Sequence, residues 1–355
     1  MTAHKLPLVL LLMMVIVSAG FLIQLQPVSA TFPGANGKIV FSRNIGAAAP
    51  DYEIFTVNPD GSGLTQLTST PDNVMAHWSA DGARIVFASD RDTPADADGN
   101  SEIWIMNADG SGQNQITYTT LPIENGFPAF SPDGSKIVFS REDPGGENIW
   151  VMNVDGSNPQ PLTNTGKDTA PVWSPDGSKI AFTSTRTGDE EIYVMNVDSS
   201  GQTDISNNPA TDYVPEWSPD GKMIAFISDR NGGIKSIWVM NADGSNPMQL
   251  SNPANGLSDA YPAWSPDGTK IAFTRAPAPH NVWVMNADGT NPVDITLGQS
   301  HSDTDIFTNW QPLFPNPVGG VVLPTSKLEI VAPFAALAGL IVAVSAVVAV
   351  KKRRD

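Results

Sequence analysis

Trp173-Ser174-Pro175-Asp176-Gly177, followed by Ser178-Lys179-Ile180-Ala181-Phe182, sets the period of the chain, because the same words recur along it. Trp217-Ser218-Pro219-Asp220-Gly221 and Trp264-Ser265-Pro266-Asp267-Gly268 repeat them letter for letter. Trp78-Ser79-Ala80-Asp81-Gly82 and Phe130-Ser131-Pro132-Asp133-Gly134 each change one letter, and Pro33-Gly34-Ala35-Asn36-Gly37 is a worn first copy. The glycines follow one another at intervals of 45, 52, 43, 44 and 47 residues. A period in this range is the mark of a repeat architecture.

Each copy reads as a turn between two short strands. Proline sits where a type I turn wants its fixed φ, aspartate follows, and glycine takes the position that needs positive φ. The apolar runs after the turn, such as Ile85-Val86-Phe87, Ile180-Ala181-Phe182 and Ile271-Ala272-Phe273, fit strands buried on both faces. Arg43, Arg91, Arg141, Arg186, Arg230 and Arg275 close these runs. About ten residues later comes a third strand, as in Glu102-Ile103-Trp104-Ile105-Met106 or Glu191-Ile192-Tyr193-Val194-Met195, ending in Asn and a second turn such as Asn107-Ala108-Asp109-Gly110. A weaker fourth strand follows, as in Leu64-Thr65-Gln66-Leu67-Thr68. Four antiparallel strands with aromatics at fixed places in the first and third make a propeller blade.

The first-strand aromatic occurs at Trp78, Phe130, Trp173, Trp217, Trp264 and Trp310. The last copy has no strands after it and the first has no clear Trp strand before it. A ring solves both deficits if Thr308–Leu313 supplies the missing first strand of the N-terminal blade; Thr31-Phe32 is the alternative donor. The expected fold is therefore all-β, a six-bladed β-propeller of four-stranded antiparallel blades over residues 31–314, plus one C-terminal transmembrane helix. The order W-S-P-D-G, I-A-F, E-I-Y-V-M-N, D-G-S and L-T resembles the TolB-like β-propeller repeat across roughly residues 33–313. The resemblance implies a six-bladed propeller that binds partners. It does not extend to the N-terminal α/β domain of TolB, so TolB's own partner is not implied.

The two ends predict location. Lys5, the apolar run Leu6–Ile23 and Val28-Ser29-Ala30 read as a signal peptide over residues 1–30, with an uncleaved anchor as the alternative. Ile330–Val350 is long and apolar enough to span a bilayer, and Lys351-Lys352-Arg353-Arg354 forms a basic tail, 351–355, expected in the cytoplasm. A tether over 315–329 joins span to propeller. The expectation is a single-pass cell-membrane protein with its propeller outside the cytoplasm. The chain carries 37 acidic residues against 20 Lys plus Arg. Most of the bases at its ends fall outside the propeller, which is left with an excess of about 20 acids. Such a field opposes nucleic acid and suits cations or a basic partner, or serves solubility alone. The sequence has no Cys, which excludes disulfides and thiolate chemistry.

Catalytic signals are sparse. There are four histidines, His4, His77, His280 and His301, and His4 falls in the targeting segment. His77, beside Trp78, reads as a packing residue and the other two as surface residues. Asp96, Asp98, Asn100 and Glu102 alternate oxygen-bearing side chains around Gly99, a pattern that suits a short Ca²⁺ loop or, alternatively, an acidic solvated loop. Asp72, Glu124, Asp168, Asp212, Asp259 and Asp303, or Asp305 in place of the last, stand five or six residues before most of the blade aromatics. They form either a carboxylate ring at the channel mouth or a set of strand-entry caps. Trp104, Trp150, Tyr193, Trp238 and Trp283 are assigned to packing between blades. Segments 92–101, 119–126, 231–235 and 276–280 are the irregular loops best placed for recognition.

The functional expectation is a non-enzymatic binding or scaffold module of the cell envelope, with an envelope protein or glycan as partner. Two alternatives stay open: a metal-dependent polysaccharide lyase or hydrolase working in the channel, as some propellers of the resembled family do, and a structural cell-surface protein.

Overall fold

The structure, a computed structural model, describes residues 35–46, 51–70, 72–91, 99–254, 256–277, 280–297 and 304–313. Within them, 24 strands form six four-stranded antiparallel sheets. None of the described residues is helical, so no helix among them is long and apolar enough to cross a membrane. The expected signal peptide, tether, membrane span and basic tail lie outside the described residues.

Blade 1 is built from both ends of the propeller sequence. Its order is Asp305–Leu313, Ala35–Asn44, Tyr52–Val57 and Thr65–Gln66. The C-terminal strand thus supplies the innermost position, pairing Trp310 with Ile39 and Asp305 with Arg43. Trp310 Nε1 donates to the Gly37 carbonyl at 3.1 Å, fixing the seam. The seam blade is also tied to both neighbours. Asn309 Oδ1 accepts from the Trp78 backbone N–H at 2.9 Å in blade 2, and Asn36 Nδ2 donates to Asp267 Oδ2 at 2.9 Å in blade 6. Blades 2 to 6 each use consecutive strands, beginning with inner strands Asn73–Trp78, Glu124–Phe130, Asp168–Trp173, Asp212–Trp217 and Ser258–Trp264.

The apolar runs form strands because every one of their side chains finds cover. Ile180, Ala181 and Phe182 are fully buried, as are Ile224, Ala225 and Phe226. Across the sheet, Phe182 pairs with Tyr193 and Phe226 with Trp238. The core is divided among the blade interfaces. One cluster joins Val40 and Ile54 of blade 1 to Trp78, Phe87 and Trp104 of blade 2; another joins Val172 and Ile192 of blade 4 to Trp217, Phe226 and Met240 of blade 5. A single blade cannot bury its own faces, so the fold is stable only as a ring.

The turns carry their own hydrogen bonds. Ser174 Oγ donates to Asp176 Oδ1 at 2.7 Å and accepts from the Lys179 N–H at 2.9 Å, while Asp176 Oδ1 accepts from the Ser178 N–H at 3.0 Å. The outermost strands are only two residues long, shorter than the four- or five-residue runs expected. Their ladder is continued by side chains instead. The hydroxyls of Thr68, Thr117, Thr163 and Ser251 accept the N–H of Ile54, Ile103, Ile149 and Ile237 at 2.8–3.0 Å. This is why an L-T pair recurs where a longer strand is expected.

Blade spacing depends on one turn residue. Gly156 has φ +82°, and a Cβ there would lie 2.0 Å from the Ile116 carbonyl oxygen of the preceding blade. Blade 4 places Ser199 at the equivalent position with φ +68°. Gly156→Ala is expected to destabilise the propeller by about 2 kcal/mol or more, through strain and forced blade separation. Ser199→Gly is expected to stabilise it by up to about 1 kcal/mol, by relieving the left-handed backbone. Urea unfolding of the two variants checks both signs.

Candidate binding channel

The six inner strands surround the axis, and each is interrupted by a bulge. In blade 2 the pairing skips between Val74 and His77, and in blade 5 between Tyr213 and Glu216. The first bulged residue of every blade has left-handed backbone: Met75, Phe127, Ala170, Val214, Tyr261 and Phe307, with φ between 47° and 58°. Pro128, Pro171, Pro215 and Pro262 follow four of them. Proline suits a bulge at an inner edge because it presents no N–H that would go unpaired. The N–H groups freed by the bulge find side-chain acceptors in the preceding blade, Met75 Sδ for Phe127 and hydroxyls for Ala170 and Val214. Ala170 N–H donates to Ser140 Oγ at 3.1 Å and Val214 N–H to Thr183 Oγ1 at 3.0 Å.

Two cavities follow one another along the axis. The first, about 140 Å³, lies at the end carrying the Trp-Ser-Pro-Asp-Gly turns and is walled by Trp78, Phe130, Trp173, Trp217, Trp264 and Trp310 with prolines of the same turns. The second, about 80 Å³, lies toward the opposite loops and is lined by Met75, Phe127, Val214, Tyr261 and Phe307. There Tyr261 and Phe307 approach to 4.4 Å between ring centroids, and Phe127 meets Phe307 edge-on at 5.7 Å. Burial in this apolar setting pushes the Tyr261 hydroxyl up to about 12.

His77, Val172, Glu216 and Asn309 line both cavities and so form the waist between them. They occupy the residue just before the blade aromatic, a position held by Ala129 and Ala263 in the other two blades. His77 belongs to blade 2 and Glu216 to blade 5, which stand opposite one another in a six-membered ring. His77 Nδ1 lies 2.8 Å from the Trp78 carbonyl oxygen. A carbonyl only accepts, so Nδ1 carries the proton and Nε2 is left as an acceptor. Glu216 has no hydrogen bond or ion pair to any described residue. Desolvation alone pushes its carboxyl up to about 8, and desolvation, partly opposed by the Trp78 carbonyl, pulls His77 down to about 4. Both side chains nevertheless keep partial exposure, because the channel reaches them. The sequence reading gives His77 a packing role and assigns Glu216 none. The available signal is a carboxylate beside Trp217 where the sister blades carry Ala, Val, Asn or His.

The expected carboxylate ring takes a different register and a different role. Asp168, Asp212, Asp259 and Asp305 are fully buried, each five residues before its aromatic, and none of them lines either cavity. Blades 2 and 3 place Asn73 and Asn125 at this position, so Asp72 precedes it with φ 61° and Glu124 precedes it exposed. Asp303 lies outside the described residues, and Asp305 is the equivalent residue. Each ring member holds an arginine. Arg43 meets Asp305 at 2.7 Å, Arg186 meets Asp168 at 2.8 Å, Arg275 meets Asp259 at 2.6 Å, and Arg230 pairs with Asp212. Arg141 Nε donates to Asn125 Oδ1 at 2.9 Å, and Arg91 donates to Asn73. Every one of these guanidinium groups also lies over the aromatic of its third strand, at 4.4 Å for Trp104 and Trp150 and 4.6 Å for Trp283. The packing role read for those aromatics therefore includes cation–π support.

Where asparagine replaces aspartate, the preceding blade supplies the acid. Asn73 Nδ2 donates to Glu53 Oε2 and Asn125 Nδ2 to Glu102 Oε2, both at 3.0 Å. Burial pushes the Glu53 carboxyl up despite these donors. Glu102, a candidate Ca²⁺ ligand, is thereby filled with protein donors: Thr119 Oγ1 at 2.6 Å, Asn100 Nδ2 at 3.1 Å, Asn125 and Thr117. Asn100 points its NH₂ at this carboxylate. Asp96 and Asp98 lie outside the described residues, among which no three His, Cys, Asp or Glu form a metal-binding group. His280 is half-buried in blade 6 and lines neither axial cavity; His301 lies outside the described residues.

Both kinds of turn fall on the face around the wider cavity and make it acidic. Asp60, Asp109, Asp155, Asp198, Asp243 and Asp288 accept Ser or Thr hydroxyls at 2.6 Å, which hold their carboxyls below the usual range. In Asp133, Asp176 and Asp267 burial pushes upward but is outweighed by donors from the turn.

Asp259→Asn leaves Arg275 without its counter-charge and is expected to cost about 2 kcal/mol or more. Adding Ser236→Glu, at the position that Glu102 holds in blade 2, is expected to recover most of that loss in a double-mutant cycle. Glu216→Gln probes the waist. A carboxyl whose folded pKa is raised loses stability as pH climbs from its unfolded value near 4.5 through about 8. The variant's stability relative to the parent is therefore expected to grow across that window and level off above it. Melting curves at several pH values measure this, with His77 and Tyr261 the other titratable side chains lining the two cavities.

Comparisons with known proteins agree with this architecture. A search by sequence among curated proteins gives no match. By structure, the chain is similar to TolB from Acinetobacter baumannii, at TM-score 0.66 and 20% identity over 79% of this chain and 67% of that one. It is also similar to a putative TolB from Agrobacterium tumefaciens, at TM-score 0.59 and 22% identity over 79% and 93% of the two chains. Hydrazine synthase from Kuenenia stuttgartiensis matches at TM-score 0.65 and 16% identity, over 82% of this chain and 49% of that one. At such identities these likenesses concern the fold. The family model for the TolB beta propeller domain matches residues 119–305, more than half of the sequence, and the chain belongs to that family.

Proposed function

We propose that this protein is a binding module of the cell envelope, tethered to the membrane with its propeller outside the cytoplasm, and that the aromatic end of its channel is the recognition surface. The observation that supports this most directly is the first cavity itself. Six aromatic side chains and the turn prolines wall it, with a few polar groups at its floor, on a ring closed by its own C-terminal strand. Ligand sites are commonly apolar concavities with a small number of placed polar groups. Its rim belongs to short, internally hydrogen-bonded turns, so little ordering is needed when a partner binds. The membrane tether rests on the apolar run Ile330–Val350 and the bases that follow it.

The test uses the full chain in its own cells. A photoreactive amino acid at Ala80, beside the cavity, is expected to give discrete crosslinked adducts, whereas one at Thr65 on an outermost strand gives none. External protease on intact cells is expected to remove the propeller and leave a small C-terminal fragment with the membranes. Adducts from Thr65 alone, or a propeller protected in intact cells, would refute this assignment.

A further inference from the structure

We infer that the waist of the channel binds an organic ammonium group, with Glu216 as its counter-charge and the surrounding indoles enclosing its alkyl part. The inference rests on the channel being the recognition surface and names the chemistry recognised there.

The contrast among interior carboxylates carries it. Asp168, Asp212, Asp259 and Asp305 each hold an arginine, and Glu53 and Glu102 are filled by hydroxyl and amide donors. Those acids serve the fold. Glu216 lies at the waist, reached only through the channel, and has no protein donor among the described residues. An uncompensated interior carboxyl is costly to the fold alone and suits a site whose donor arrives from outside. Opposite it, His77 offers the acceptor Nε2, because Nδ1–H is engaged by Trp78. No Lys or Arg lines either cavity, so positive charge at the waist must come with the ligand.

The choice of an organic cation follows from the rest of the wall. A metal ion needs more ligands than the waist provides, since no three His, Cys, Asp or Glu are grouped among the described residues. An aromatic enclosure instead favours an ammonium carrying apolar substituents, through cation–π attraction and burial of its alkyl part. The wider cavity, about 140 Å³, has room for roughly five water-sized groups, which matches a short alkylammonium or the end of a lysine side chain. The turn aspartates around its mouth, held ionised by their Ser and Thr donors, draw cations toward it.

Calorimetric titration of the full-length chain with n-butylammonium, n-butanol and Nα-acetyl-lysine methylamide tests the inference. Saturable binding of butylammonium is expected, weakened about tenfold or more in Glu216→Gln, with butanol failing to compete. Melting of Glu216→Gln at or above the parent temperature confirms that the variant is folded. Tighter binding of the lysine probe than of butylammonium, with the same dependence on Glu216, identifies a protein side chain as the source; equal or weaker binding identifies a small amine. Absence of saturable ammonium binding, unchanged affinity in Glu216→Gln, or equal binding of butanol overturns the inference. If crosslinking from Ala80 persists in that case, the recognition surface stands and only its assigned chemistry falls.

Discussion

Residues 305–313 hydrogen-bond to residues 35–43, and that antiparallel seam is the constraint on which the other five blades depend. Each hydrophobic cluster is shared between neighbouring blades, so an open array would leave two unpaired faces and the sheet edges that invite misassociation. Closing the circle with a strand from the far end turns six marginal sheets into one cooperative body. It also fixes the width of the axis. The inner strands cannot separate without opening blade interfaces on both sides, so the cavities at the centre are set by the count of blades.

The interior electrostatics follow a second rule, in which charge is conserved while its carrier moves. The arginine over the third-strand aromatic is present in every blade, but its anion comes from the inner strand in four of them and from the preceding blade's glutamate in the other two. Asn73 and Asn125 stand where a second carboxylate would crowd Glu53 and Glu102. Blade 5 departs from this economy. Glu191 and Asp212 lie close enough to oppose one another, and burial pushes both carboxyls upward. Six of the chain's arginines are thus committed to the interior together with six carboxylates, so the net acidity of the chain is carried by groups outside these pairs.

The architecture was legible because the fold is written six times. Turn residues, buried strands and the closing Trp310 repeat with one period, and each copy corrects the noise in the others. The candidate site was less legible for the same reason. In blades 2 and 3 the ring position carries Asn73 and Asn125 with an acid, Asp72 or Glu124, directly before each, so the pattern of acids alone points one residue early there. The L-T pairs looked like strand and proved to be hydroxyl caps. His77 and Glu216 stand at a position where sister blades carry alanine, valine or asparagine, so repetition dilutes them. What serves the blade recurs; what distinguishes this propeller lies where its copies disagree.

The left-handed residues of the inner strands bear on how freely this channel can change. Glycine would adopt that backbone at no steric cost, whereas an L side chain there carries strain of about 1–2 kcal/mol. Met75, Phe127, Val214, Tyr261 and Phe307 all keep their side chains, including a β-branched one for which this backbone is least favourable. Substitution at these positions is therefore asymmetric. Drift toward glycine relaxes the backbone and widens the axis, while any larger replacement must fit a fixed bore. The channel's diameter is held against the backbone's own preference by the side chains at these positions.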